Sequence, residues 1–260
     1  TCLVIHNEDS GQSDTGNVFI ANVKMCRDDS DGGGCKSWTA LVYAGDLATG
    51  GWGWMHHSGL AVTLNKVRPA ESVVGGLGRG FVARALLDSA DLQAAIAEVT
   101  RDGQSSGHNY QLVDLSGPTV YNIETASKKQ FAITRVASSK SGPFGEEGRL
   151  FHVNTYLFLN VSQVQTPSSL HRLARYREME PTCPATAQGA ADINGDQQDK
   201  VYPVFHDSIG RAHGDTSGDE TLTTTLFDMH TCKATLFSGN PKLNNIQATF
   251  VLPAACVAFR

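Results

Sequence analysis

Close to its start the chain joins a short apolar run to a cluster of polar side chains. Leu3–Ile5 is followed directly by His6–Asp9, which reads His-Asn-Glu-Asp. A carboxylate at the end of a strand can orient a nucleophile or hold a substrate, and an imidazole can line the same pocket. Asp9 and His6 are therefore candidate site residues. The simpler alternative for Asp9 is a carboxylate in a turn.

The first residue is another candidate. An amino-terminal Thr is a competent nucleophile because its own α-amine can serve as the base. Thr1 meets that requirement. The alternative is that Thr1 only marks the position at which the chain was cut.

Other charged and metal-ligating side chains are better explained by structural roles. Arg172 and Arg175 are three residues apart, so they share a helix face, and we expect ion pairing at the surface. Adjacent His56 and His57 are weak support for a metal site. The Asp192–Asp199 stretch lacks the Gly and the final Glu that a calcium loop requires, which indicates a solvated turn. The sequence predicts neither a metal nor a cofactor.

The cysteines and one sequon bear on the cellular compartment. Cys26 and Cys35 enclose an acidic, glycine-rich loop that can bend freely, so we predict that a disulfide joins them. The sequence contains six cysteines and the glycosylation sequon Asn160-Val161-Ser162. These features favour secretion or the lumen of the secretory pathway. Buried free thiols in a cytoplasmic enzyme are the alternative.

Composition excludes several classes of partner. The 260 residues include 40% hydrophobic and 18% charged side chains, as in an ordinary globular protein. The net charge is −5 and no basic stripe is present, which argues against a nucleic-acid partner. Because no run of about 18 apolar residues occurs, we expect no membrane span.

The strands and helices expected to position these residues occur in alternating groups along the chain. Strands come first, then two helices, strands, two helices and strands, which is typical of an α+β protein with helices outside antiparallel sheets. No repeat or linker is evident, so we predict one domain over residues 1–260. The expected helices include Leu77–Leu87 and Leu92–Arg101, the latter capped by Ser89 or Asp91; the expected strands include Arg149–Thr155 and a final hairpin of Leu222–Phe227 with Lys233–Phe237.

Several segments together resemble one enzyme family. The chain is similar to the acyl-coenzyme A:isopenicillin N acyltransferases, a family of amino-terminal-nucleophile hydrolases that also includes the β-alanyl-dopamine hydrolases. The matching motifs are His6–Asp9, the glycine-rich turn and strand at 51–65, Gly107–Tyr110 with Glu124, His152–Thr155, Pro167–Arg175, Tyr202-Pro203 and Thr221–Asp228. They follow one another over nearly the whole chain.

This resemblance implies a fold, a chemistry and site residues. The fold would be a four-layer αββα sandwich. The activity would be acyl transfer or amide hydrolysis on a small-molecule acyl substrate, by a Cys that autoproteolysis exposes and whose α-amine is the base. Asp9 would orient the nucleophile, and Asn154 would donate to the oxyanion. His6, His56 and Asn65 would contact substrate.

The family pattern also predicts where the nucleophile lies. In these enzymes the nucleophile begins one strand of a hairpin, and the returning strand ends in the Asp. Leu3–His6 reads as the returning strand, and Cys2 to Asp9 spans roughly 23 Å when extended. We therefore expect the nucleophile strand upstream of Thr1, on a separate amino-terminal fragment of the same precursor.

The expected absence of the nucleophile strand and three departures from the family pattern leave a second hypothesis open, and the absent strand and the altered Arg favour it most. An Arg of the acyltransferase is missing from Ser217–Thr221, and Arg211 is the nearest. His56 and Thr155 replace an Asn and a His of the family. The alternative is a binding or structural subunit that keeps the fold without catalysis.

Overall fold

Two antiparallel β-sheets form the centre of the protein. The computed structural model describes residues 2–27, 34–47, 51–117, 119–136, 148–253 and 256. The larger sheet has seven strands in sequence order, namely β2 (Val18–Arg27), β3 (Gly34–Tyr43), β4 (Trp52–Met55), β5 (Leu60–Asn65), β6 (Asn109–Asp114), β7 (Thr119–Ala126) and β8 (Gln130–Val136). The smaller sheet has the order β1 (Leu3–Gly11), β9 (Asp219–Asp228), β10 (Lys233–Phe237) and β11 (Ile246–Val251).

Two helices cover one face of the larger sheet. They are α1 (Arg79–Leu86) and α2 (Leu92–Val99), and the Asp91 side chain caps α2 by accepting from the Ala94 N–H at 2.8 Å. In β5, Leu60, Val62 and Leu64 point towards these helices. Successive side chains of a strand alternate between faces, so Ala61 belongs to the other side of the sheet.

That other side packs against the smaller sheet. Trp52 and Trp54 stack with a ring separation of 5.8 Å, and Phe227 of the smaller sheet meets both rings edge to face. Ala234 and Leu236 complete this apolar layer from β10. All of β4 and the first five residues of β5 are buried, because both faces of these strands are covered.

Helices lie beyond the smaller sheet as well. The helices of the second half are α3 (Pro167–Met179), α4 (Ala187–Asn194) and the short α5 (Ser208–Ala212). Asn7 of β1 donates from Nδ2 to the carbonyl of Asn194 in α4 at 2.8 Å. The layers are therefore helix, sheet, sheet and helix, and the predicted αββα sandwich is confirmed. Among the described residues, no helix has the length and apolarity to cross a membrane.

One predicted strand is wrong. Residues 149–155 form no strand because their neighbourhood is organised by a buried carboxylate instead. Glu124, with its side chain fully buried, accepts from the backbone N–H groups of Leu157, Phe158 and Leu159 at 2.7–2.9 Å and from His152 at 2.8 Å. These bonds replace the ladder that a strand would need. The final hairpin of β9 and β10 is as predicted.

The disulfide prediction is confirmed. Cys26 and Cys35 are directly opposite in the β2–β3 pair and are bonded, with 2.03 Å between the sulfurs. A second bond, not predicted from the sequence, joins Cys232 to Cys256. Among the described cysteines, Cys2 and Cys183 are free.

Removing the first disulfide should weaken the fold. Closing a loop of this length restricts the unfolded chain, so we expect the double variant Cys26→Ser/Cys35→Ser to lose about 2–3 kcal/mol of unfolding free energy. Denaturant titration of purified protein measures the loss. Cys183→Ser, which removes a free thiol, is the control and should stay within about 0.5 kcal/mol. An unchanged midpoint in the double variant would contradict the prediction.

Candidate active site

A large cavity runs along β1. Its volume is about 1270 Å³, and every residue from Leu3 to Gly11 contributes to its wall. In the smaller sheet, β1 is the outermost strand and pairs on one side with β9. The other edge of β1 has no partner strand among the described residues. The opposite wall includes the end of β5 and the start of α1.

Asp9 lies at one end of this strand, just after a register shift. The shift between Glu8 and Asp9 is an irregularity in the pairing with β9. Thr221 Oγ1 donates to Asp9 Oδ1 at 2.7 Å and accepts from the His206 N–H at 2.9 Å. Burial raises the pKa of Asp9 above its usual value, and electrostatic interactions with His206 and Arg172 oppose that rise. Asp9 is thus a fixed, partly desolvated carboxylate.

Asn154 is joined to Asp9 through one guanidinium. Arg172 Nη2 donates to Asn154 Oδ1 at 2.8 Å, and Arg172 Nη1 is 3.8 Å from Asp9 Oδ2. Asn154 Nδ2 donates to the Lys66 carbonyl at 2.9 Å. That bond uses one amide hydrogen, and the second has no partner among the described residues. The structure therefore brings Asp9 and Asn154 to one cavity, with Arg172 between them.

Arg172 is the site residue that sequence analysis misjudged. Its side chain is only 11% exposed, and burial lowers the pKa of its guanidinium while Asp9 favours the charged form. The expectation of surface pairing is wrong for Arg172. The expectation of ion pairing fits Arg175 better. Arg175 pairs with Asp196 at 2.8 Å and with Glu178 at 2.9 Å. The helical spacing placed both on one side of α3, but could not tell which of them reaches the cavity.

Asp196 corrects another expectation. It belongs to the Asp192–Asp199 stretch, for which we predicted a solvated turn, yet its side chain is 5% exposed. Arg175 and Lys242 both pair with it, and α4 occupies the first part of the stretch. Within the described residues, no group of three or more His, Cys, Asp or Glu side chains is arranged to hold a metal ion.

His6 is held in the wall of the cavity. Its Nε2 is 2.9 Å from a Glu8 carboxylate oxygen, and the other oxygen accepts from the Tyr43 hydroxyl. A side chain at position 51 would overlap Glu8, because a Cβ built on Gly51 comes within 1.4 Å of a carboxylate oxygen. Burial and the adjacent Glu8 raise the pKa of Tyr43. His6 can contact substrate only within this fixed network.

The two remaining predicted substrate contacts are separated. Asn65 ends β5 and lines the cavity, and its carbonyl contacts the buried His108 ring. His56 stands at the turn end of the β4–β5 hairpin, beside Thr39, and borders a separate shallow depression. The structure therefore brings Asn65, but not His56, to Asp9 and Asn154.

Thr1 and Cys2, the two residues ahead of β1, bear on where the nucleophile lies. Thr1 lies outside the described residues. Cys2 precedes β1 at the end away from Asp9, packs into the layer between the sheets, and has a pKa raised by burial. Since β1 is continuous from Leu3 to Gly11, Cys2 does not approach Asp9.

Comparison with known proteins settles the family. Residues 1–243 match the model of the acyl-coenzyme A:6-aminopenicillanic acid acyl-transferase family. The chain belongs to this family. Its relationship to the acyl-transferase family was predicted from the motifs at His6–Asp9, residues 51–65 and Pro167–Arg175, and is confirmed.

One sequence relative and one solved structure of similar fold give context for this acyl-transferase family member. It is 27% identical over 214 residues to the β-alanyl-dopamine/carcinine hydrolase of Drosophila melanogaster, across 78% of this chain. The match covers 52% of the fly protein, so the chain spans about half the length of that curated relative. The fold is similar to the N-acylethanolamine-hydrolyzing acid amidase ortholog of Caenorhabditis elegans, with a TM-score of 0.50, 11% identity, and coverage of 96% of this chain and 94% of that one.

Proposed function

We propose that the protein is an autoprocessed acyltransferase or amide hydrolase whose nucleophile begins a strand that pairs with the free edge of β1. The observation that carries this proposal is the position of the Asp9–Arg172–Asn154 group at one end of the β1 edge that has no partner strand among the described residues. A strand added antiparallel to β1 would start beside Asp9. The cavity along β1 offers the room.

The chemistry follows from that arrangement. The α-amine of an amino-terminal Cys takes the thiol proton, and the sulfur attacks the carbonyl carbon of a small acyl substrate. Asp9 accepts a hydrogen bond from the amine and fixes it. The free amide hydrogen of Asn154 stabilises the oxyanion. When the C–N or C–S bond breaks, the leaving group takes the proton, and water or an amine then releases the acyl group.

The nucleophile strand is proposed to reach the site as a separate amino-terminal fragment. Amino-terminal sequencing and intact mass of every chain in the purified protein should detect a companion peptide that begins with Cys. Iodoacetamide should label that Cys and abolish hydrolysis of N-acyl amines. A pure preparation containing only the chain from Thr1, without turnover of any amide or thioester, would instead support a non-catalytic subunit. Turnover by that chain alone would point to Thr1.

We also propose that the protein enters the secretory pathway. Two disulfides and the exposed position of Asn160 support this location. Enzymatic removal of N-linked glycans from protein made in its native host should lower its apparent mass. The variant Asn160→Gln should already have the lower mass and should not change on treatment. A native protein that the treatment leaves unchanged would argue against the sequon being used.

A further inference from the structure

Three positively charged side chains surround the end of the cavity nearest Asn154. Lys66 and Arg68 follow β5 in an extended segment, and Arg79 is the first residue of α1. Val67, between the first two, is 1% exposed and packs into an apolar cluster. Because alternate residues of an extended segment face opposite ways, Lys66 and Arg68 lie on one side. All three line the cavity.

None of these three side chains forms an ion pair or a hydrogen bond within the described part of the chain. The other cations in this part of the protein have partners: Arg172 pairs with Asp9, Arg211 pairs with Glu220, and Arg149 donates to the carbonyls of Glu180 and Cys183. One nearby carboxylate is committed elsewhere, since Glu124 holds His152 and three N–H groups. Asp219, also in the cavity wall, raises the pKa of Lys66.

The charges of this cluster act on one another. Partial desolvation lowers the pKa of the exposed Lys66, and the neighbouring Arg79 and Arg68 lower it further. Burial likewise lowers the pKa of Arg79, with Arg68 adding to the effect. His108, buried beside them, has its pKa lowered to about 3 by burial and by Arg79, so its ring is neutral. This end of the cavity therefore carries positive charge that an anion would balance.

We propose that Lys66, Arg68 and Arg79 bind an anionic group of the substrate, a carboxylate or a phosphate, next to Asn154. The backbone of Lys66 is in contact with the proposed oxyanion donor, because its carbonyl accepts a hydrogen bond from the Asn154 amide at 2.9 Å. An anion held by the three cations would share the cavity with the Asn154 amide. Planar guanidinium groups suit both anions, since each can offer two parallel N–H donors.

This inference names a substrate class for the proposed function and rests on that function for its catalytic meaning. Two sources of the anion are possible. A carboxylate would belong to the amine half of an N-acyl amino acid. A phosphate would belong to the carrier of a thioester, such as coenzyme A. The shared requirement is negative charge a short distance from the scissile bond.

Calorimetric titration with matched ligands tests the inference without turnover. N-Butyrylglycine should bind at least about tenfold more tightly than its neutral analogue N-butyrylglycinamide. Arg79→Gln and Lys66→Gln should each weaken binding of the acid about tenfold and leave the amide unchanged. Lys233→Gln, which removes an exposed lysine on β10, should alter neither. Lys66 is exposed, so its variant does not depend on the folding of a buried position.

Coenzyme A serves as the second arm of the titration. If it binds, loses affinity in the same two variants and outcompetes N-butyrylglycine, the anion is a phosphate of the carrier. Equal binding of acid and amide, together with coenzyme A binding that neither variant changes, would overturn the inference. So would an equal loss in Lys233→Gln. Because binding needs no nucleophile, a protein that binds these anions without turning over any amide would refute the proposed function alone.

Discussion

Asn154→Ala is expected to reduce turnover of an N-acyl substrate by about 10²–10³-fold, the usual cost of one oxyanion donor. The free hydrogen of the Asn154 amide is the group that would meet the developing charge. The Asn154 Oδ1 to Arg172 bond and the Nδ2 to Lys66 bond fix the orientation of that amide. Substrate binding should change much less than turnover, because the interaction strengthens only in the transition state.

Steady-state kinetics of Asn154→Ala and a matched control variant test the oxyanion role of Asn154. Asn245→Ala removes an exposed amide far along the chain in a loop before β11 and should leave both kcat and KM unchanged. Thermal unfolding of both variants separates a catalytic loss from misfolding. Asn154→Ala with full turnover would refute the oxyanion role and leave Asn154 as a structural side chain.

Arg172→Gln is expected to lower turnover about a hundredfold and to change its dependence on pH. The guanidinium orients Asn154 and opposes the rise in the pKa of Asp9, and small displacements in an active site carry losses of this size. With the charge removed, the pKa of Asp9 should rise further. If ionised Asp9 is required, the acid limb of the kcat profile should move to higher pH.

The same pKa has an opposite effect on stability. Asp9 has a raised pKa in the folded protein, so its protonated form is favoured there, and its ionisation costs stability as the pH rises through that pKa. Activity and this part of the stability should therefore change in opposite directions across the acid range.

Arg175→Gln is the control for Arg172→Gln on the same helix. It breaks the pair with Asp196, so it should lower the melting temperature without moving the acid limb. An identical pH profile in Arg172→Gln and the unaltered protein would argue that Asp9 does not titrate in the reaction. A shift in both variants would assign the effect to total charge.

The features of the fold that the sequence predicts depend on residues close together in the chain. Asp91 caps α2 because its carboxylate meets a free N–H at the helix start, which its position in the sequence already indicates. The alternation of Leu60 to Leu64 follows from the two-residue period of a strand. The pairing of Cys26 with Cys35 needed only a short loop between them.

The rest depends on contacts between distant residues. The stretch around His152 is β-like in composition, but Glu124, 28 residues earlier, takes the backbone donors that follow it. His56 shares a motif with Asn65, yet the β4–β5 hairpin puts them at opposite ends. Arg172 lines the cavity and donates to Asn154, whereas Arg175 on the same helix pairs with Asp196 outside the cavity wall. Local spacing cannot resolve any of these.

The pairing of β1 with β9 bears on when the site forms during synthesis. Thr221, which holds Asp9, is 212 residues further along the chain. At ordinary translation speeds a ribosome needs roughly 10–40 s to cover that distance. Throughout this interval the nascent chain carries Asp9 without the strand that fixes it. Premature release before β9 would leave a product that contains the motif but cannot assemble the proposed chemistry.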